Sequence, residues 1–119
     1  MAYFSIIRAA EQQGPPPKGL MDAMDTYVTE TLKKGAVVST GGLAPSAAGF
    51  KVRVKGGKLT ITDGPFAESK EVIGGYAVIA AKTREEALRA TREFMQLHID
   101  HWPEWVGECE VRELVFLAP

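Results

Sequence analysis

Two stretches constrain this chain more than any other feature. AYFSIIRAA over Ala2–Ala10 and VIGGYAVIAA over Val72–Ala81 carry one charge between them, on Arg8. Short runs this apolar, rich in β-branched and aromatic residues, read as strands with both faces covered rather than strands with one wet face. Any fold that holds them has to cover two sides of a sheet.

Two segments have the helical period. Over Leu20–Lys34, Leu20, Met24, Tyr27, Val28, Thr31 and Leu32 recur at three- and four-residue spacing. Lys33 and Lys34 suit the negative end of the helix dipole, and Gly35 supplies a left-handed stop. The second helix is predicted from Arg84 to about His101, with Ala87, Leu88, Thr91, Phe94, Met95 and His98 on one stripe. Thr83 and Glu86 open it as a capping box, in which the carboxylate is expected to reach back to the Thr83 amide. Pro103 closes it.

The remaining elements follow from turn chemistry. Gly14-Pro15-Pro16-Pro17 makes a stiff, extended loop. Ala36–Thr40 reads as a strand ended by Gly41-Gly42, and Leu43–Gly49 as a loop. Phe50, Val52 and Val54 alternate with Lys51, Arg53 and Lys55, and Leu59 and Ile61 with Lys58, Thr60 and Thr62. Gly56-Gly57 between them permits a two-residue hairpin. Gly74-Gly75 inside the second apolar run predicts a bulge or a close backbone approach. Trp102–Gly107 is a bend, and Cys109–Leu117 the last strand.

This order predicts one α+β domain over residues 1–119, a ferredoxin-like βαββαβ plan with an added β-hairpin. Two helices cover one face of a sheet. The other face needs a partner, so the expectation is a homodimer with two sheets meeting face to face, a dimeric α+β barrel. The alternative cover is the chain's own loops at Gly14–Gly19 and Leu43–Gly49.

Composition narrows the function classes. Among 119 residues, 14 Lys and Arg face 15 Asp and Glu, a net charge of −1. That balance argues against binding nucleic acid by bulk electrostatics and against a polybasic membrane anchor. No apolar run approaches the roughly 20 residues that cross a bilayer. Met1–Ala10 lacks the pattern of a signal peptide. Cys109, the single cysteine, cannot form an internal disulfide, and a cytoplasmic location is the plain expectation.

Asp63–Tyr76, DGPFAESKEVIGGY, resembles the signature of the YCII-related family in its DGPF-containing branch. The similarity extends to the TREEALR segment, the final ECEVREL and the first strand with its following helix, covering about Tyr3 to Leu114. The resemblance implies a dimeric α+β barrel of ferredoxin-like protomers with a cleft between helices, sheet and partner. It also implies kinship with monooxygenases, isomerases and lactone-processing enzymes that need no metal, and an association of the branch with extracytoplasmic-function sigma factors. Some shorter members are thought to pair a histidine in the first helix with an aspartate. Leu20–Lys34 has no histidine, so that dyad does not carry over.

Candidate site residues remain. Asp63, at a strand end before Gly-Pro, can act as a general base or simply fix the turn. His98 and His101 share a helix face, with Asp100 near enough to orient one of them, and can support proton transfer or just complement the helix C-terminus. The catalytic candidates are therefore Asp63, His98 and His101. His98, Asp100 and His101 at the helix end lack the strict spacing of a zinc motif, and no metal or cofactor is expected. Arg8 can clamp an anionic ligand or pair with Glu11, Glu110 or Glu113. Tyr76, beside two glycines, can flank a ligand. Glu71, just before the apolar strand, completes the ligand-binding candidates with Arg8 and Tyr76; its neighbours Glu68 and Lys70 read as a solvated charged loop. Cys109 lies between Glu108 and Glu110, whose charge would raise its pKa and make it a poor nucleophile. The leading expectation is a protein that binds a small organic molecule in the cleft. The alternatives are a cofactor-independent acid–base enzyme on a small organic substrate and an accessory protein of a sigma factor.

Overall fold

A computed structural model describes residues 1–11, 13–66 and 71–115. Its elements run β1 (Ala2–Ala9), α1 (Lys18–Lys34), β2 (Val37–Gly42), a short 3-10 turn (Ser46–Ala48), β3 (Phe50–Lys55), β4 (Lys58–Asp63), β5 (Val72–Ala80), α2 (Arg84–His101) and β6 (Gly107–Glu113). Four strands form an antiparallel sheet in the order β2-β5-β1-β6, and β3-β4 form a separate hairpin. Setting the hairpin aside, this is the βαββαβ plan with the two apolar runs, β1 and β5, as central strands.

The helix signals act as read. Gly35 takes φ 75° and its amide bonds the Leu32 carbonyl. Thr83 Oγ1 accepts the Glu86 amide at 3.2 Å. The return half of the capping box differs by one residue: Glu86 Oε2 accepts the amide of Lys82, at 2.9 Å, not that of Thr83. Lys82 precedes the cap, so the carboxylate ties down the chain entering the helix. Several strand bounds also shift: β2 starts at Val37, β5 ends at Ala80, and β6 ends at Glu113, with 114 and 115 outside the strand and residues 116 and 117 outside the described residues. β2 runs through Gly41 and Gly42, because both pair with β5. β6 begins at Gly107, two residues early, because Gly107 still pairs with Ala9.

The predicted bulge lies at Gly74. Ile7 pairs with Gly75 and Arg8 with Ile73, leaving Gly74 without a partner residue. Gly56 and Gly57 take φ 59° and 73°, the left-handed pair that a two-residue hairpin turn requires.

Both helices lie on one face of the sheet. Tyr3 and Ile79 face them and form the core with Ala81 and Ala87, with Ala77, Ala90 and Val111 packed around it. Strand alternation turns Phe4, Ile6, Tyr76 and Val78 to the opposite face. Those four are half-buried, and Ile73 and Ala80 are exposed. Within one protomer, β1 and β5 are therefore not covered on both faces.

The hairpin stands away from the sheet, with all twelve strand residues exposed. The radius of gyration, 15.9 Å, exceeds the roughly 13.5 Å of a compact chain this long. One hairpin face is apolar: Phe50, Val52, Val54, Leu59 and Ile61 are each 52–72% exposed. Val52 pairs with Ile61 and Val54 with Leu59.

Candidate functional site

The layer between sheet and helices is not filled. Leu20 is the one large side chain that is fully buried among the described residues. A chamber of about 510 Å³ lies there, floored by Ser5, Ile7, Ala77 and Cys109 of the sheet and roofed by Met24, Tyr27, Phe94 and His98 of the helices. Small residues on both layers create it: Ala77 and Gly75 on β5 face Ala90 and Thr91 on α2. At one end an aromatic wall runs from Tyr27 to Phe94 (6.1 Å between ring centres), His98 (5.3 Å) and Trp105 (4.5 Å), then to Trp102 (6.4 Å).

His98 is buried, at 7% exposure. Its Nδ1 lies 3.3 Å from the Phe94 carbonyl, which only accepts, so Nδ1 carries the proton. Burial holds its pKa below the usual histidine range, against the opposing pull of that hydrogen bond. Tyr27 donates to the Ala90 carbonyl at 3.2 Å. Burial first, then the Glu93 carboxylate, push its phenol up to about 12. The Cys109 thiol is pushed up by burial, with Ser5 opposing. The direction is the one expected from Glu108 and Glu110, but the cause is desolvation.

The other candidates are dispersed. His101 is exposed at the outer end of α2, against Gly19, where an added Cβ would sit 3.6 Å from its Nδ1. Asp100 accepts from Gln96 Nε2 at 3.0 Å rather than holding a histidine. Asp63 is exposed at the hairpin base, paired with Phe50, and lines neither this chamber nor the second cleft. That second cleft, about 500 Å³ on the open side of the sheet, brings Arg8 and Glu71 together with Phe50, Phe66 and Ile73. Arg8 pairs there with Glu110, one of its three expected partners. Tyr76 sends its ring to the open face, where it stacks on Phe4 at 5.9 Å, leans over Gly41 and meets the Ser39 hydroxyl at 3.3 Å, and the residue also lines the edge of the chamber. Glu68 and Lys70 lie outside the described residues.

Sequence reasoning missed the polar junction at the chamber rim. The Glu11 carboxylate accepts both the amide and the hydroxyl of Ser46. Ser46 Oγ accepts the Phe66 amide at 3.1 Å, and Gly64 donates to the Gly49 carbonyl at 2.9 Å. Gly64 lies so close to Ser46 that an added Cβ would fall 1.7 Å from its carbonyl oxygen. Gly64 and Phe66 of the Asp-Gly-Pro-Phe motif thus fasten the hairpin base to the loop before it. Nearby, the Gln13 side-chain amide exchanges two hydrogen bonds with the Val106 backbone, at 2.8 and 2.9 Å, tying the proline loop to the bend before β6. Neither contact has a sequence signal, because each joins segments far apart in the chain.

Fold and chamber together define a small ferredoxin-like α+β protein with a ligand-sized, largely apolar space between its helices and its sheet. The sequence pattern of the YCII-related domain matches the chain over residues 1–96, and the chain belongs to that family. An uncharacterized protein of Rhizobium meliloti (strain 1021) is 30% identical over 99 residues, spanning 83% of this chain and 73% of the relative. No described helix is long and apolar enough to cross a membrane.

Proposed function

We propose that this YCII-related protein, of the DGPF-containing branch, binds a small organic molecule in the chamber between its sheet and its helices. The chamber carries the reading. At about 510 Å³ it falls within the size range of small-molecule sites, and it is apolar with a few inward polar groups. Binding is favoured over acid–base catalysis because Asp63, His98 and His101 occupy three separate places and His98 has no carboxylate partner among the described residues. The test is a thermal-shift screen of uncharged and charged organic molecules on the wild type and on Ala77→Leu, which puts a bulkier side chain on the chamber floor. A ligand of the native state raises the wild-type Tm by mass action, and the effect is smaller in the variant. A flat response across the screen overturns the reading.

The working form is a cytoplasmic homodimer with its open sheet faces together. Half-buried Phe4, Ile6, Tyr76 and Val78 on that face and the five exposed apolar hairpin residues support this reading, because exposed apolar patches mark association sites. Light scattering that returns a single protomer at working concentration overturns the dimer and leaves the chamber reading intact.

A further inference from the structure

Five polar side chains around the chamber share one bias. Ser5, Tyr27, Thr40 and Thr91 each donate their hydroxyl proton to a backbone carbonyl: Ala77 at 3.4 Å, Ala90 at 3.2 Å, Tyr76 at 2.8 Å and Ala87 at 2.8 Å. Their lone pairs remain. His98 does the same through Nδ1, which leaves Nε2 as a bare acceptor. Among the described residues no side-chain nitrogen or oxygen is buried without a partner. Nε2 has no hydrogen bond, so it keeps accessible surface, and His98 lines the chamber.

Charge points the same way. No Lys or Arg is among the described residues that line the chamber, and Glu11 is the one carboxylate, already held by Ser46. An organic anion entering this space would lose its water and meet no cation, an uncompensated cost. The donors left on lining side chains are neutral ones: the two indoles, the Tyr76 hydroxyl where Ser39 is the donor of their pair, and the Cys109 thiol, which interacts with Ser5. The aromatic wall that includes the His98 ring offers ring faces and edges at centre distances of 4.5 to 6.4 Å, the spacing at which aromatic groups attract one another.

We infer that the chamber takes an uncharged aromatic molecule that donates a hydrogen bond, seated against Phe94, His98 and Trp105 with His98 Nε2 as acceptor, and that it rejects organic anions. This rests on the small-molecule reading above and narrows it.

Three probes of one shape test it: 4-methylphenol, 4-methylanisole and 4-methylbenzoate, titrated against the full chain by calorimetry and by Trp fluorescence. The phenol is expected to bind and quench. The anisole, lacking the donor, is expected to bind about tenfold more weakly, and the benzoate not to register. In His98→Phe the advantage of the phenol over the anisole is expected to vanish while anisole binding persists, which also shows that the variant is folded. Equal or tighter binding of the benzoate overturns the inference and leaves the small-molecule reading standing. So does silence from all three probes when the broader screen still yields chamber ligands. A phenol advantage that survives His98→Phe removes His98 from the role of acceptor.

Discussion

Glu11 and Ser46, 35 residues apart, are joined at two points: one carboxylate oxygen accepts the serine amide and the other accepts its hydroxyl at 2.6 Å. The pair clamps the end of β1 to the loop that supports the Asp-Gly-Pro-Phe segment. These hydrogen bonds, the hydroxyl first and the amide second, hold the Glu11 carboxyl below the usual glutamate range. A carboxyl depressed by folding contributes stability above its unfolded value, near 4.5, and loses it as pH falls through the folded value. Glu11→Gln is expected to lower Tm at pH 7 and to flatten its dependence on pH below about 4.5. Thermal denaturation from pH 7 to pH 3 checks both.

His98 should act in a higher pH window. Its imidazole is held neutral by burial, so its folded pKa lies below the unfolded value of 6.5. The unfolded chain therefore binds the proton first, and stability falls as pH drops below 6.5 toward the folded pKa. His98→Phe is expected to remove this part of the slope between pH 6.5 and the onset of carboxylate titration. Exposed His101 is the control: His101→Gln should leave the slope in place. An NMR titration of the two rings provides an independent measure.

Two glycines should differ sharply. At Gly64 a Cβ would fall 1.7 Å from the Ser46 carbonyl oxygen, while at Gly42 nothing lies within 4 Å. Gly64→Ala forces apart two backbone segments and is expected to cost about 3 kcal/mol or more, the upper end of overpacking effects. Gly42→Ala meets open space and is expected to stay within about 0.5 kcal/mol. Urea unfolding of the two variants reads the difference.

The exposed apolar hairpin separates monomer stability from association. Val52→Thr and Ile61→Thr change residues 52% and 69% exposed that pair across the two strands. Little packing within the protomer is lost, so the unfolding free energy at low concentration is expected to change by less than about 0.5 kcal/mol. Association of the proposed dimer is expected to weaken, measured as a higher dissociation constant by sedimentation equilibrium. Phe4→Glu on the open sheet face is expected to weaken it further, by burying an unpaired charge if the sheets meet.

The catalytic and ligand candidates show where local reading stops. Asp63, His98, His101, Arg8, Tyr76 and Glu71 were chosen for chemistry and turn context, and they are spread over the hairpin and both sides of the four-stranded sheet. His98 lines the helix-side chamber, and Arg8 and Glu71 line the open-side cleft. Three-residue spacing put His98 and His101 on the same helix face, yet one is buried and the other exposed, because the bend at Trp102–Trp105 folds over the first alone. Arg8 found Glu110 because they are diagonal neighbours on adjacent strands, a register that sequence spacing does not encode.

What the amino-acid order determined by itself is local: periods of two and of 3.6, the left-handed glycines at 35, 56 and 57, the cap at Thr83 and the bulge at Gly74. Each depends on residues a few positions apart, so a one-dimensional reading reaches it. The plan of the sheet follows from those elements and from the two apolar runs. The tertiary structure alone decided that the helices stand off from the sheet over small side chains and leave a chamber. It alone turned the chamber's hydroxyl protons toward backbone carbonyls, and it joined Glu11 to Ser46. Volume and hydrogen-bond partnership are properties of chain segments brought together from a distance, and they come into being when the layers pack.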